Sequence, residues 1–293
     1  MRSGDEIKKI ILDKANGDIR IRAVLLNGSR ANYKVQPDRF QDFDVVFIVE
    51  QLEAFISDHA WISLFGEKLI WQLPNEMTTG NDGTNKSCSF PYLMLFTDGN
   101  RIDLTLFPRN KLETDFKTDS LTIVWLDKDN LFHHIKESSD KDYWIRRPME
   151  KEFQDACNEF WFICTNVSKG LVREEVTYAK TMLEIHVRPE FMKMIEWHIG
   201  TRTDFSVSAG KGGKFMNKYL TAEEYTKILT TYGDYNINNI WNSLFVMTDL
   251  FSGYAEWVAN KLNFAYNRKE QINVISYLRE QYQTPVNERL TSK

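Results

Sequence analysis

The sequence predicts a mixed α/β (α+β) domain followed by a helical domain. Up to the middle of the chain, short apolar runs alternate with turn-forming residues, which is typical of strands in a sheet. A Gly-Ser pair at 28–29 closes one such run, and an Asp-Phe-Asp motif at 42–44 opens the next. After Pro148 the apolar residues recur every three or four positions, as in amphipathic helices. We therefore expect two domains, 1–147 and 148–293.

The first domain is predicted to hold one helix and six strands. Apolar residues at helical spacing predict a helix over 5–15. Asp98-Gly99-Asn100 between two apolar runs is a strong hairpin signal. Residues 75–86 are rich in Gly, Asn and Thr and predict a mobile loop, and a short helical turn is expected from Ser29. The predicted strands are 20–26, 42–50, 67–73, 89–97, 101–107 and, as an edge strand, 121–126.

The second domain is predicted to be entirely helical. Pro148 suits the first turn of a helix, where its missing N–H costs nothing. Apolar and aromatic residues then follow at helical spacing in five segments. These predicted helices are 148–169, 173–199, 222–231, 237–262 and 269–282.

Composition limits the location and the partners of the chain. The 293 residues carry a net charge of −4, which argues against a nucleic-acid partner, since backbone binding needs clustered Lys and Arg. No apolar run has the length of a signal peptide core or of a membrane span, so no membrane partner is expected. Three cysteines without metal-ligand spacing suit a reducing cytoplasm. The oligomeric state is left open.

Three aspartates beside a tight turn predict a site for a metal-bound nucleotide. Asp42 and Asp44 are two apart on a strand, so both side chains can hold one Mg²⁺. Asp103 reaches the same cluster if its strand is a neighbour. Gly28 lets the backbone approach a phosphate, and Ser29 offers it a hydroxyl and an N–H. A lone Asp-x-Asp usually marks only a strand end or turn, but the ordered set is far more specific.

The ordered set resembles the nucleotidyltransferase superfamily, which includes polymerase β and antibiotic-modifying enzymes. More closely, the chain is similar to aminoglycoside 6-adenylyltransferases. The resemblance implies a polymerase β-like domain followed by a helical domain, with substrate bound between them. The similar segments extend from the first residue to about Tyr282 and include Met1-Arg2-Ser3, Gly28 to Asn32, Phe40 to Asp44, Asp98 to Leu106, Tyr143-Trp144, Cys157 to Trp161, Lys169-Gly170, Arg188-Pro189, Lys214-Phe215 and Lys218 to Leu220.

The resemblance implies transfer of AMP from Mg-ATP, the co-substrate, to a hydroxyl of streptomycin, on its streptidine ring at position 6. Asp42 and Asp44 would bind Mg²⁺, and Asp103 would be the general base, with metal binding as its competing role. Asn27 departs from the family pattern, which has an acidic residue before the Gly-Ser pair. The residues expected to contact the nucleotide are Gly28, Ser29, Arg30, Lys211 and Lys214.

Residues 210–214, Gly-Lys-Gly-Gly-Lys, form a second candidate for phosphate binding. The spacing is not that of a Walker loop. Lys211 or Lys214 could still contact a triphosphate tail from the second domain. The alternative is that both lysines belong to a solvated helix start.

Acidic residues of the second domain are candidates for binding a guanidino substrate. Glu152, Asp155 and Glu159 fall on one side of the helix that follows Pro148. They are either a solvated face or the carboxylates that charge-assisted bonds to guanidinium require. Glu174 is a weaker candidate of the same kind. Aromatic residues that could line the pocket are Tyr143, Trp144 and Trp161.

Two further functions compete with this prediction. The same core could transfer a nucleotide to a nucleic-acid end or a protein hydroxyl, although the acidic balance disfavours nucleic acid. Alternatively, the chain could be a catalytically silent module that only binds a ligand. The presence of all three aspartates disfavours the silent module, because loss of a metal carboxylate would be its expected mark.

Overall fold

The computed structural model describes residues 1–78 and 88–284. It divides the chain into two units, Met1–Asp142 and Tyr143–Lys293. The boundary predicted between residues 147 and 148 falls near the start of the second unit and remains a prediction. The first unit is a mixed sheet with helices, and the second is helical, so the predicted fold class is confirmed.

The first unit is built on a six-stranded mixed sheet in the order β3-β4-β5-β2-β1-β6. All neighbouring strands are antiparallel except β2 and β5, which run parallel. All six predicted strands are present, and the last one lies at an edge as expected. The strands are β1 Ile21–Asn27, β2 Phe43–Val49, β3 Lys68–Gln72, β4 Phe90–Phe96, β5 Arg101–Pro108 and β6 Thr122–Asp127.

The two faces of the sheet differ in what covers them. Helix α1 (Gly4–Gly17) places Ile7, Ile11 and Ala15 in the larger apolar core. Its start is fixed by a capping box, in which Ser3 and Glu6 satisfy each other's backbone N–H groups. The opposite face carries a smaller core that includes Ala23, Leu25, Val46, Ile48 and Phe107. Side chains alternate along a strand, so Asp44 and Asp103 share this second face.

Short helical segments that periodicity did not reveal complete the first unit. They are α2 (Glu53–Ile56), a 3₁₀ segment (His59–Phe65) and α3 (Leu112–Asp115). Four-residue helices are too short to show a periodic pattern. The predicted loop 75–86 overlaps a 3₁₀ turn at Pro74–Glu76, and its residues 79–86 lie outside the described residues.

The second unit is a bundle of helices around one large apolar core. Its two longest helices are in contact through Phe160 and Phe251, whose rings stack with centroids 3.7 Å apart. None of the helices within the described ranges is long and apolar enough to cross a membrane. The helices are α4 Glu150–Val172, α5 Val176–Thr181, α6 Arg188–Arg202, α7 Ala222–Leu229, α8 Ile237–Leu262 and α9 Arg268–Gln283.

The helix predicted over 173–199 is divided. Glu174 has a left-handed φ of 58°, so the chain turns before α5 begins. A π-helical segment (Met182–Val187) then joins α5 to α6. Pro189 cannot donate to the carbonyl of residue 185, and a local π turn accommodates that missing bond.

Candidate active site

One transverse row of the sheet carries polar residues on four neighbouring strands. Asn27 pairs with Asp44 across β1 and β2, and Asp44 pairs with Asp103 across β2 and β5. Thr122 on β6 pairs with Asn27, and its hydroxyl donates to the Asn27 Oδ1 at 2.8 Å. The predicted meeting of the aspartates therefore depends on the parallel register of β2 and β5, which brings residues 59 positions apart side by side.

Arg101 connects two of the three aspartates. Its guanidinium donates two hydrogen bonds of 2.8 Å to the carboxylate of Asp103. The same Nε lies 3.7 Å from Asp42 Oδ2. Asp42 directly precedes β2, and its side chain is 39% exposed. One cation thus lies beside a carboxylate of β5 and a carboxylate that directly precedes β2.

Gly28 is required by the close approach of Asp44. Its φ is +71°, in the left-handed region that favours glycine. A Cβ at this position would lie 2.1 Å from Asp44 Oδ2 and 3.0 Å from Asp44 Cγ. The Gly-Ser turn, which is a 3₁₀ segment over Gly28–Ala31, therefore lies directly against this carboxylate.

Arg30 and Gln41 fasten the Gly-Ser turn to the segment that carries Asp42. The guanidinium of Arg30 donates to the Gln41 carbonyl at 2.8 Å and to the Asp42 carbonyl at 3.1 Å. It also lies 3.7 Å from the centre of the Phe43 ring. In return, the Gln41 side-chain amide donates to the Ser29 carbonyl at 3.3 Å. Arg30, predicted to contact the nucleotide, is thus engaged with backbone carbonyls.

The site holds a carboxylate without a counter-charge of its own. Burial, followed by the charges of Asp103 and Asp42, raises the pKa of Asp44 to about 6. Burial also raises the pKa of Asp42, although Arg101 opposes this effect. Within the described residues, Asp44 has no hydrogen bond or ion pair. A half-buried carboxylate next to two others is stabilised by a bound cation.

The donor set fits Mg²⁺ in its chemistry. Three carboxylates offer the oxygen ligands that Mg²⁺ takes, and Asp44 faces the glycine turn with its acceptor capacity unused. In the described ranges, however, no group of three His, Cys, Asp or Glu side chains is already arranged around one point as a metal centre. Arg101 instead supplies the positive charge beside Asp103. The metal role of Asp42, Asp44 and Asp103 therefore remains a prediction.

The glycine–lysine segment of the second unit forms an exposed loop. Lys211 begins a short 3₁₀ turn over Lys211–Gly213. The alternative prediction is that the lysines belong to the start of a helix, and this three-residue turn is the helical structure at that place. Lys211 and Lys214 are both exposed, and the Lys214 ammonium lies 5.1 Å from the Phe215 ring. Gly210 has a φ of 73°. The loop thus presents two lysines, and their contact with a nucleotide remains a prediction.

The acidic candidates divide into two places in the second unit. Asp155 and Glu159 line one groove of about 560 Å³ beside α4 and α6, together with Glu152. Lys151 pairs with Asp155, and Arg146 pairs with Glu152. Glu174 lies at the opposite end of α4 and lines a separate groove. The aromatic candidates Tyr143 and Trp144 are 48% and 38% exposed.

Sequence reasoning assigned no role to Arg101 and Gln41. The signal for Arg101 was present, since Arg-x-Asp on a strand puts both side chains on one face. No comparable signal existed for Gln41, because its bond to the Ser29 carbonyl depends on the path of the loop.

The fold and the aspartate row together define a class of protein. A strand, a Gly-Ser turn, an Asp-x-Asp at the start of the next strand and an aspartate on the parallel neighbour are the parts of a nucleotidyltransferase. Comparison with known proteins makes the assignment specific. The family model of streptomycin adenylyltransferase matches residues 1–281, and the chain belongs to this family.

Individual relatives agree with the family. The chain is 40% identical over 267 residues to the aminoglycoside 6-adenylyltransferase of Bacillus subtilis (strain 168), covering 91% of this chain and 93% of that protein. It is also 40% identical over 266 residues to the enzyme of the same name from Campylobacter jejuni, covering 91% of each. The crystal structure of an aminoglycoside 6-adenyltransferase from Bacillus subtilis shares 35% identity, covers 97% of this chain and 100% of its own, and has a TM-score of 0.48.

Proposed function

We propose that the protein transfers AMP from ATP to a hydroxyl of an aminoglycoside, and that streptomycin, at its 6-hydroxyl, is the acceptor. The observation that carries the proposal is the family match over residues 1–281, a range that includes Asp42, Asp44 and Asp103. We expect the enzyme to work in the cytoplasm, where ATP is available.

In the proposed reaction the acceptor hydroxyl oxygen attacks the α-phosphorus of ATP. A new P–O bond forms, the bond to the bridging oxygen of the β-phosphate breaks, and pyrophosphate leaves with its electron pair. The hydroxyl proton passes to Asp103, the general base. Catalysis of this kind depends on positioning and on stabilising charge more than on covalent chemistry.

Each residue of the turn has a separate task. Gly28 brings its backbone close to the triphosphate, and Ser29 supplies a hydroxyl that has no partner in the described part of the chain. Asp42 and Asp44 would hold Mg²⁺, which when bound neutralises charge developing on the phosphates. Arg30 holds the Gly-Ser turn at a fixed distance from the segment that carries Asp42, through its hydrogen bonds to the carbonyls of residues 41 and 42.

Arg101 must release Asp103 before that carboxylate can accept a proton. Both oxygens of Asp103 now accept from the guanidinium. These two charge-assisted bonds use lone pairs on both oxygens that the acceptor hydroxyl would otherwise approach. Arg101 is 43% exposed, so its side chain has room to move to the negatively charged nucleotide when that ligand binds.

The carboxylates of the second unit are proposed to recognise the cationic acceptor. Asp155 and Glu159 are exposed residues of one groove. Lys151 forms an ion pair with Asp155. Lys211 and Lys214 are proposed to contact the triphosphate. Glu174 would contribute only if the acceptor extends to the other end of α4.

The experiment is product analysis by mass spectrometry after incubation with ATP and Mg²⁺. Streptomycin should gain one AMP, with pyrophosphate released in equal amount. An aminoglycoside without guanidino groups should react more slowly. Labelling of RNA or of a protein instead would overturn the choice of acceptor. Binding of streptomycin with no product under any divalent metal would indicate the silent module.

A further inference from the structure

A second cavity of about 510 Å³ lies within the helical unit. One wall is the first half of α4, and the other is the segment that leads into α9. It is separate from the groove of Glu152 and Glu159, although Asp155 borders both. Its volume is in the range of small-molecule sites. Of the residues proposed above to recognise the acceptor, Asp155 alone borders this cavity.

The lining of the cavity includes two buried polar groups that make no well-formed hydrogen bond in the described part of the chain. Trp161 is only 1% exposed, and its indole Nε1–H has no acceptor at good hydrogen-bond geometry among the described residues. The Tyr266 hydroxyl is buried and equally unpaired in the described part of the chain. The two groups approach each other, since burial raises the pKa of Tyr266 and the nearby indole N–H of Trp161 lowers it in part. Buried donors in native proteins almost always have a partner, so a ligand oxygen between these groups would complete the site.

The rim of the cavity carries net negative charge. Among the lining residues, Asp155 and Glu270 are acidic, and Lys151 is the one cation. Asn158 donates to Glu270 at 3.3 Å, which leaves further acceptor capacity on that carboxylate. Burial, followed by the charge of Glu270, raises the pKa of the Cys157 thiol on the same wall. The field of Glu270 therefore extends into the cavity and favours a cation there.

We propose that this cavity binds an amino- or guanidino-substituted polyol ring. A ring hydroxyl would accept from the indole of Trp161 and pair with the hydroxyl of Tyr266. A cationic substituent would lie against Glu270 and Asp155. An aminoglycoside contains such rings, so this inference rests on the proposed function and extends acceptor recognition to Trp161, Tyr266 and Glu270.

The test is isothermal titration of the full-length protein with streptomycin in the absence of ATP. Tyr266→Phe removes one oxygen and Trp161→Phe removes the N–H, and each should weaken binding about tenfold. Glu270→Gln should weaken streptomycin binding by a similar factor. Tyr254→Phe is the matched control, because the Tyr254 hydroxyl is likewise buried without a hydrogen bond in the described residues of the same unit but does not line the cavity. It should bind like the wild type.

The outcomes separate this inference from the proposed function. If the wild type adenylylates streptomycin and all three variants bind it as tightly as the wild type, the cavity assignment is overturned and the function stands. If the variants weaken binding but no adenylylated product forms, the cavity stands and the function fails. Failure of the wild type to bind streptomycin would overturn both. Tyr266→Phe remains decisive if Trp161→Phe unfolds.

Discussion

Replacement of Gly28 by alanine isolates the contact between the glycine turn and Asp44. Alanine at a φ of +71° costs roughly 1–2 kcal/mol in backbone strain. The new Cβ would lie 2.1 Å from Asp44 Oδ2, so the carboxylate must rotate away. An off-rotamer side chain costs about 1 kcal/mol more. We therefore expect the free energy of unfolding to fall by about 2–3 kcal/mol and the turnover to fall on the order of a hundredfold.

The assay combines urea unfolding with pyrophosphate release at saturating ATP. Gly99→Ala is the matched control in the same unit, because Gly99 has a φ of +82° and its Cβ would meet only the flexible end of Met1, at 2.9 Å. This control should lose roughly 1–2 kcal/mol of stability but keep its activity. If Gly28→Ala keeps as much activity as Gly99→Ala, the position of Asp44 does not control the reaction and the reasoning is refuted.

Three further predictions concern charges. Arg101→Gln removes a positive charge beside Asp42, so Mg²⁺ should bind the free enzyme about tenfold more tightly by calorimetry. Unchanged affinity would contradict this electrostatic effect. Asp103→Asn should depress the rate and leave ATP affinity intact, whereas lost ATP affinity would make Asp103 chiefly a metal ligand. Burial, followed by the charge of Arg202, lowers the pKa of His198 to about 4. Between about pH 4 and 6.5 the unfolded chain therefore binds more protons than the folded chain. The free energy of unfolding should fall on acidification through this range by up to about 3 kcal/mol. His198→Phe should flatten that pH dependence in urea unfolding, and a wild type equally stable at pH 4 and 7 would contradict it.

The sequence was most informative where a pattern is local. The strands and most helices could be predicted because alternation and helical spacing reflect burial on one face. The division of the long helix at Met182–Val187 was missed, since a π turn keeps the apolar spacing nearly intact. Pro189 was the available warning, because a proline inside a helical pattern removes a backbone donor.

The site was predictable in its residue types but not in its contacts. Gly28 and the Asp-x-Asp motif predict the kind of chemistry, and the adjacency of Asp44 and Asp103 then requires only that β2 and β5 be neighbours. The pairing of Arg101 with Asp103 follows from their spacing on one strand, whereas its approach to Asp42 depends on how the two segments pack. The unpaired groups of Trp161 and Tyr266 are equally invisible in sequence, because an aromatic at helical spacing is usually part of the core.

Pyrophosphate release by Asp42→Asn and Asp44→Asn tests the central claim most directly. With ATP, Mg²⁺ and streptomycin, each variant should turn over roughly a hundredfold more slowly than the wild type, because a carboxylate that holds the cation is lost. Circular dichroism should show the fold intact, since both side chains lie at the edge of the apolar core and not within it. Wild-type rates in either variant would contradict the assignment of Asp42 and Asp44 to the catalytic centre.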